Sequence, residues 1–178
     1  MKIITLSLIN IFFFVGICFS QQVKYQTFKA QMNLIGDKDG VNYQWENTNI
    51  TAALDYRTGD FISRLKNTDF NQKNDNSSAI ADTIEQREII LQGNFPIEAI
   101  INQKQIYAKY IVELELIIEN ELHNLNFTVE ITRPGGDGQY RIFVLKGIIY
   151  NDETNFPSFV GFDNEITIIL AFNALINI

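Results

Sequence analysis

Residue types that often carry out chemistry are present in this sequence, but their spacing supports no catalytic site. Glu113 and Glu115 are two residues apart, so in a strand both carboxylates face one side, where proton transfer would require that side to line a cleft. His123 is the lone histidine, whereas a zinc site normally takes three or four protein ligands. Ser77 and Ser78 have no glycine elbow and no nearby base. The sequence therefore predicts no enzyme activity, no metal site and no cofactor.

Two glycine-containing stretches resemble ligand-binding loops only in part. The residues DKDG at 37–40 look like the start of a calcium loop, but the carboxylates that an EF-hand requires do not follow at the right spacing. The residues RPGGDG at 133–138 are not followed by a helix, as a phosphate-binding loop would be. Both stretches are predicted to be turns.

The net charge of −7 indicates an acidic surface. Proteins that bind nucleic acids usually present basic stripes to the phosphate backbone. We therefore expect no nucleic-acid partner and assign the acidity to solubility.

The N-terminus has the pattern of a secretory signal peptide. Residues 1–20 contain a basic Lys2, an apolar stretch and a small residue at Ser20. Cleavage after them would leave residues 21–178 as one domain, exported to the periplasm or secreted. One alternative is a membrane-spanning anchor, but Thr5, Ser7 and Asn10 interrupt the apolar stretch. The other is a lipid anchor on Cys18, but the residue before this cysteine is a large isoleucine where a lipobox needs a small one.

The stretch from Val112 to Ile131 alternates apolar and polar residues with a period of two, which is typical of strands with one dry face. Its two apolar rows predict an antiparallel hairpin. Their members are Val112, Leu114, Leu116 and Ile118 in the first row, and Leu125, Phe127, Val129 and Ile131 in the second.

The remaining chain predicts further strands at short spacing. The first is VKYQTFKAQMNL, ended by GDKDG, and a hairpin spans Ile50 to Lys66. REIILQG and a proline-broken FPIEAI follow as strands, and QYRIFVLKGIIY and EITIILAFNALI close the domain. A long polar loop carries a predicted short helix at Ala79 to Gln86. About eight strands with little helix favour an all-β barrel or sandwich.

Three segments resemble the YceI-like family of lipid- or polyisoprenoid-binding proteins: LDYRTGDFISRLKNTDFN, REIILQG and VELELIIENELHNLNFTVEI. The resemblance implies an antiparallel, lipocalin-like barrel whose interior holds a long isoprenoid chain. The sequence departs from the family in the loop NQKNDNSSAIADTIEQ, which lacks an aromatic and acidic motif. It also departs at residues 120–123, where the family usually has a glycine.

If the resemblance holds, the inward rows of the barrel line the ligand tube, because barrel strands alternate interior and exterior positions. The predicted ligand-binding residues are Phe28, Met32, Leu114, Leu116, Phe127, Val129, Phe143, Leu170 and Phe172. The predicted function is a carrier of an apolar, isoprenoid lipid, without catalysis. The alternative is a surface β-sandwich with an adhesive or structural role, and the pattern does not separate a ligand tube from side chains that fill a core. The sequence also leaves the oligomeric state open between a monomer and a homodimer.

Overall fold

The computed structural model describes residues 26–73, 86–134, 140–150 and 165–175, apart from the side chains of residues 26–28 and 38. The predicted signal peptide lies outside these ranges. So do Ser77, Ser78, the glycines of RPGGDG and all of the predicted helix at 79–86 except its last residue. Among the described residues, no helix has the length and apolar character needed to cross a membrane.

Within these ranges the secondary structure is almost entirely β. The strands are β1 (Gln26–Lys38), β2 (Val41–Leu54), β3 (Asp60–Lys66), β4 (Asn71–Gln72), β5 (Glu88–Asn94), β6 (Tyr107–Ile118), β7 (Glu121–Thr132), β8 (Tyr140–Tyr150) and β9 (Glu165–Leu175). One helix, α1 (Ile97–Ile101), and one 3-10 turn (Asn67–Asp69) accompany them.

The strands form a single antiparallel sheet that closes on itself. Its order is β1-β9-β8-β7-β6-β5-β3-β2, and β1 pairs with β2 to complete the ring, while the two-residue β4 adds to β2 outside it. The chain is therefore an eight-stranded antiparallel barrel, which confirms the predicted fold class. The sandwich alternative is wrong, because one closed sheet replaces two packed sheets.

The hairpin of β6 and β7 follows the predicted alternation. Val112, Leu114, Leu116 and Ile118 are buried on the inner face, and so are Phe127, Val129 and Ile131. The connecting turn contains only Glu119 and Asn120, with φ values of 53° and 69°. Two successive residues with positive φ match the type I′ turn, which suits the right-handed twist of paired strands.

The first strands are longer than the sequence indicated. GDKDG was predicted to end the first strand, but β1 continues to Lys38 and only Asp39 and Gly40 form the turn, with φ values of 52° and 75°. The next strand starts directly at Val41. The motif is thus a tight aspartate-glycine hairpin turn, a common type I′ sequence.

The prediction of a strand at FPIEAI is wrong. Residues Ile97–Ile101 form α1, with Pro96 immediately before it at φ −72°. Proline cannot donate to a sheet ladder, but its fixed φ suits a helix start. The helix buries Ile97 and Ile100, which are three residues apart and share one face. It lies at the barrel end where β5 finishes and β6 begins.

Candidate ligand-binding interior

The inner wall of the barrel is formed by large apolar side chains. Eight of the nine predicted ligand-binding residues are on this wall, each at most 3% exposed. They are Met32 on β1, Leu114 and Leu116 on β6, Phe127 and Val129 on β7, Phe143 on β8, and Leu170 and Phe172 on β9. The backbone of Phe28 pairs with Ala52, but its side chain lies outside the described atoms, so its role stays a prediction.

Four phenylalanines close one end of the interior. Phe143 stacks on Phe172 with ring centroids 4.8 Å apart, and Phe172 stacks on Phe61 at 5.5 Å. Phe61 contacts Phe95 at 4.9 Å, and Phe95 contacts Phe143 at 6.0 Å. These distances fall within the range of attractive aromatic pairs. We call this ring of contacts the phenylalanine plug.

Half of the phenylalanine plug was missed from the sequence. Phe61 had a signal, because it alternates with Ser63 and Leu65 in the predicted strand FISRLK. Phe95 had no such signal, because it lies between the end of β5 and the start of α1 and belongs to no alternating row. Its position depends on a contact with a distant turn. Its backbone N–H donates to the carbonyl oxygen of Gly59 at 2.8 Å.

The turn from Asp55 to Gly59 holds this end of the barrel together. Asp55 is buried, and its Oδ1 accepts a hydrogen bond from the backbone N–H of Arg57 at 2.9 Å. Gly59 has φ +82°, and a Cβ built on it would lie 2.3 Å from the carbonyl oxygen of Phe95. Only glycine fits such a conformation and approach without strain. The residues DYRTG at 55–59 therefore have a structural role beside the phenylalanine plug.

Two large inner side chains pack against glycines of a neighbouring strand. A Cβ built on Gly147 would stand 2.6 to 2.8 Å from ring carbons of Phe127 on the neighbouring strand. A Cβ built on Gly93 would stand 2.5 Å from Cδ2 of Leu114. Each glycine therefore leaves room at the wall for the side chain beside it.

At the opposite end, several inward residues are only partly buried. Tyr43 pairs with Gly36, and Trp45 pairs with Leu34, and both aromatic side chains pack against the core. Across the barrel, the side chain of His123 is 17% exposed, and its Nε2 is 4.0 Å from Oε2 of Glu121. Among the described residues, these three side chains are therefore less buried than the four rings of the phenylalanine plug.

A few buried polar groups interrupt the apolar interior. Ser63 Oγ, Trp45 Nε1 and the Tyr56 hydroxyl are buried and have no hydrogen-bond partner. Burial raises the pKa of Tyr56, and the nearby Arg141 opposes that shift. The pKa of Arg141 is lowered by burial and by Arg133.

The two glutamates considered for acid–base chemistry lie on the outer face. Glu113 and Glu115 border an open groove of about 710 Å³ on the outside of β3, β5 and β6. Oε2 of Glu115 accepts a hydrogen bond from Nε2 of Gln92 at 2.9 Å. The groove lies on the outer face of the sheet and not in the barrel interior. Within the described residues, no group of three or more histidine, cysteine or acidic side chains is placed to hold a metal.

Comparison with solved structures finds the same fold in another protein. The chain is similar to a polyisoprenoid-binding domain from Saccharophagus degradans implicated in plant cell wall breakdown, with a TM-score of 0.62. The match covers 88% of this chain and 100% of that domain at 7% sequence identity. At this identity the likeness shows the fold alone. No protein-family model matches the chain, and no curated protein matches it.

Proposed function

We propose that this protein is an exported, non-catalytic carrier that holds a long apolar lipid of the isoprenoid class inside its barrel. We further propose that it belongs to the YceI-like family that its sequence resembles. The observation that carries the proposal is the closed barrel with an apolar inner wall, in a fold shared with a polyisoprenoid-binding domain.

The two ends of the barrel support a single direction of ligand insertion. The phenylalanine plug fills one end, whereas Tyr43, Trp45 and His123 leave the other end partly accessible. An extended chain would therefore enter beside these three residues and reach toward the phenylalanine plug.

Energetics permit such a ligand to bind without a charged anchor. Burial of one methylene is worth about 0.8 kcal/mol, so a five-carbon isoprene unit contributes roughly 3 to 4 kcal/mol. Association and ordering cost about 4 to 15 kcal/mol. A few isoprene units therefore offset that cost.

Native extraction tests the carrier proposal. Protein purified from its own host without detergent is extracted with organic solvent, and the extract is analysed by mass spectrometry. We expect a long-chain isoprenoid in stoichiometric amount. The variant Leu116→Trp, which adds an indole to the interior, should lose it, whereas Ile111→Trp on the outer face of the same strand should keep it. Repeated absence of lipid from the natural protein contradicts the proposal.

The export proposal rests on the pattern of residues 1–20 and has its own test. The intact mass of the protein from its host should correspond to a chain that begins at Gln21. A mass that includes acyl chains on Cys18 would instead establish the lipid anchor, and an intact N-terminus would contradict export by this signal.

A further inference from the structure

The Ser63 hydroxyl is a buried polar group without a hydrogen-bond partner in the fold. Ser63 lies on β3 between Phe61 and Leu65 on the inner face and is 0% exposed. Its Oγ has no hydrogen-bond partner. A buried, unsatisfied hydroxyl destabilises the folded state, and the large majority of buried polar side-chain atoms in proteins do have a partner. Such a group calls for a physical explanation.

The surroundings of Ser63 place the hydroxyl deep in the barrel. Its register partners are Ala52 on β2 and Leu91 on β5. Ala52 and Leu91 are apolar, so neither side chain offers Oγ a hydrogen-bond partner. Phe61, the preceding inward residue, belongs to the phenylalanine plug. A chain inserted from the accessible end would therefore bring its leading end close to Ser63.

A second polar atom lies on the same hairpin. Trp45 Nε1 is buried without a partner on β2, nearer to the accessible end. The β2–β3 hairpin thus carries two unsatisfied donors along the interior, whereas the buried row of β6 from Val112 to Ile118 is purely aliphatic. A uniform hydrocarbon ligand would leave both donors unsatisfied.

We propose that Ser63 is a specificity residue that hydrogen-bonds an oxygen at the leading end of the ligand. The inference rests on the proposed carrier function and narrows the ligand to an isoprenoid that bears a hydroxyl or carbonyl oxygen. A serine hydroxyl both donates and accepts, so it is able to pair with either group. A site built around such a hydrogen bond discriminates against analogues that lack the oxygen, because the protein group then stays unpaired.

Binding of two matched lipids tests this role. Squalene is a hydrocarbon and hexaprenol is an alcohol with the same number of carbons, so the two differ mainly in the oxygen. We expect the lipid-stripped protein to bind hexaprenol more tightly than squalene. Ser63→Ala should weaken hexaprenol binding by about threefold to tenfold, the equivalent of one neutral hydrogen bond. Squalene binding should not change, and Ser63→Thr, which keeps the hydroxyl, should retain the preference.

The two arms of the experiment separate this inference from the carrier proposal. Equal affinity of the natural protein for both lipids, or an equal loss of both in Ser63→Ala, overturns the role of Ser63 while squalene binding still supports a carrier. Failure to bind either lipid overturns both. The folded stability of Ser63→Ala, measured by urea denaturation, should be equal to or above that of the natural protein, because the variant removes an unsatisfied group.

Discussion

The contact between Gly147 and Phe127 offers a direct test of whether the barrel interior is a ligand space or a filled core. Gly147→Ala places a methyl group 2.6 to 2.8 Å from three carbons of the Phe127 ring. Ordinary carbon–carbon contacts are about 3.5 to 4.0 Å, so the ring has to move by roughly 1 Å. The new methyl group would stand on the wall side of the ring, so the ring can only move further into the barrel.

The cost of that movement depends on what lies at the barrel axis. In a filled core, overpacking typically costs about 1 to 3 kcal/mol. In an interior with free space the ring moves at little cost, and loss of glycine flexibility in the unfolded chain contributes about 0.4 to 1 kcal/mol of stability. We expect the second case, with the free energy of unfolding of the lipid-free variant within about 1 kcal/mol of the natural protein. Ligand affinity should fall by about fourfold for each methylene that the ring displaces.

Urea denaturation and a lipid-binding assay on stripped protein measure both quantities. Phe127→Leu, alone and with Gly147→Ala, completes a double-mutant cycle, because the shorter side chain relieves any clash with the new methyl group. A coupling energy above about 1 kcal/mol together with unchanged lipid binding refutes the ligand space and indicates a filled barrel.

Three further predictions concern the groups that hold the barrel. Burial raises the pKa of Tyr56, so the folded state favours the neutral hydroxyl. The stability that this preference contributes is fully present below the unfolded-state pKa of about 10 and is lost as the pH rises above that value. Tyr56→Phe should thus lose less stability than the natural protein between pH 7 and pH 11, as measured by urea denaturation, and equal losses contradict this assignment. The double variant Glu119→Asn, Asn120→Gly should raise the free energy of unfolding by about 1 kcal/mol, because it gives the type I′ turn its preferred residues, and a lower urea midpoint would disprove that account. Gly59→Ala and Gly40→Ala both place alanine at positive φ, but only at residue 59 does the new Cβ meet a backbone atom within 4 Å. The backbone strain alone costs about 1 to 2 kcal/mol, so Gly59→Ala should be clearly the more destabilising of the two, and similar losses would show that the close approach is absent.

The inner rows of the barrel were predictable because alternation is a local property. In β6, each step along the chain reverses the side-chain direction, so the row from Val112 to Ile118 needs no knowledge of its neighbours. The same rule identified Phe127 and Val129 on β7. These two rows supplied four of the nine predicted ligand-binding residues.

The end of the barrel was less predictable because it depends on contacts between distant segments. The residues FPIEAI are as compatible with an edge strand as with a helix when they are considered alone. Their helix is fixed by Phe95, which binds the backbone of Gly59 and packs against Phe61 and Phe143. No periodicity within six residues contains this information.

Whether the barrel encloses a ligand depends on the register between strands more than on the apolar pattern. Alternation says that Phe127 points inward, but the space it occupies is decided by Gly147, which β7–β8 pairing places beside it. The two-residue turn at Glu119 fixes the β6–β7 register, so that register is predictable from the sequence. The connection between β7 and β8 is longer, and its length does not fix their register. A large side chain opposite glycine lies flat, while the same side chain opposite leucine would project toward the axis. The cross-strand pair of Phe127 and Gly147 is therefore a sharper probe of the interior than any single inward residue.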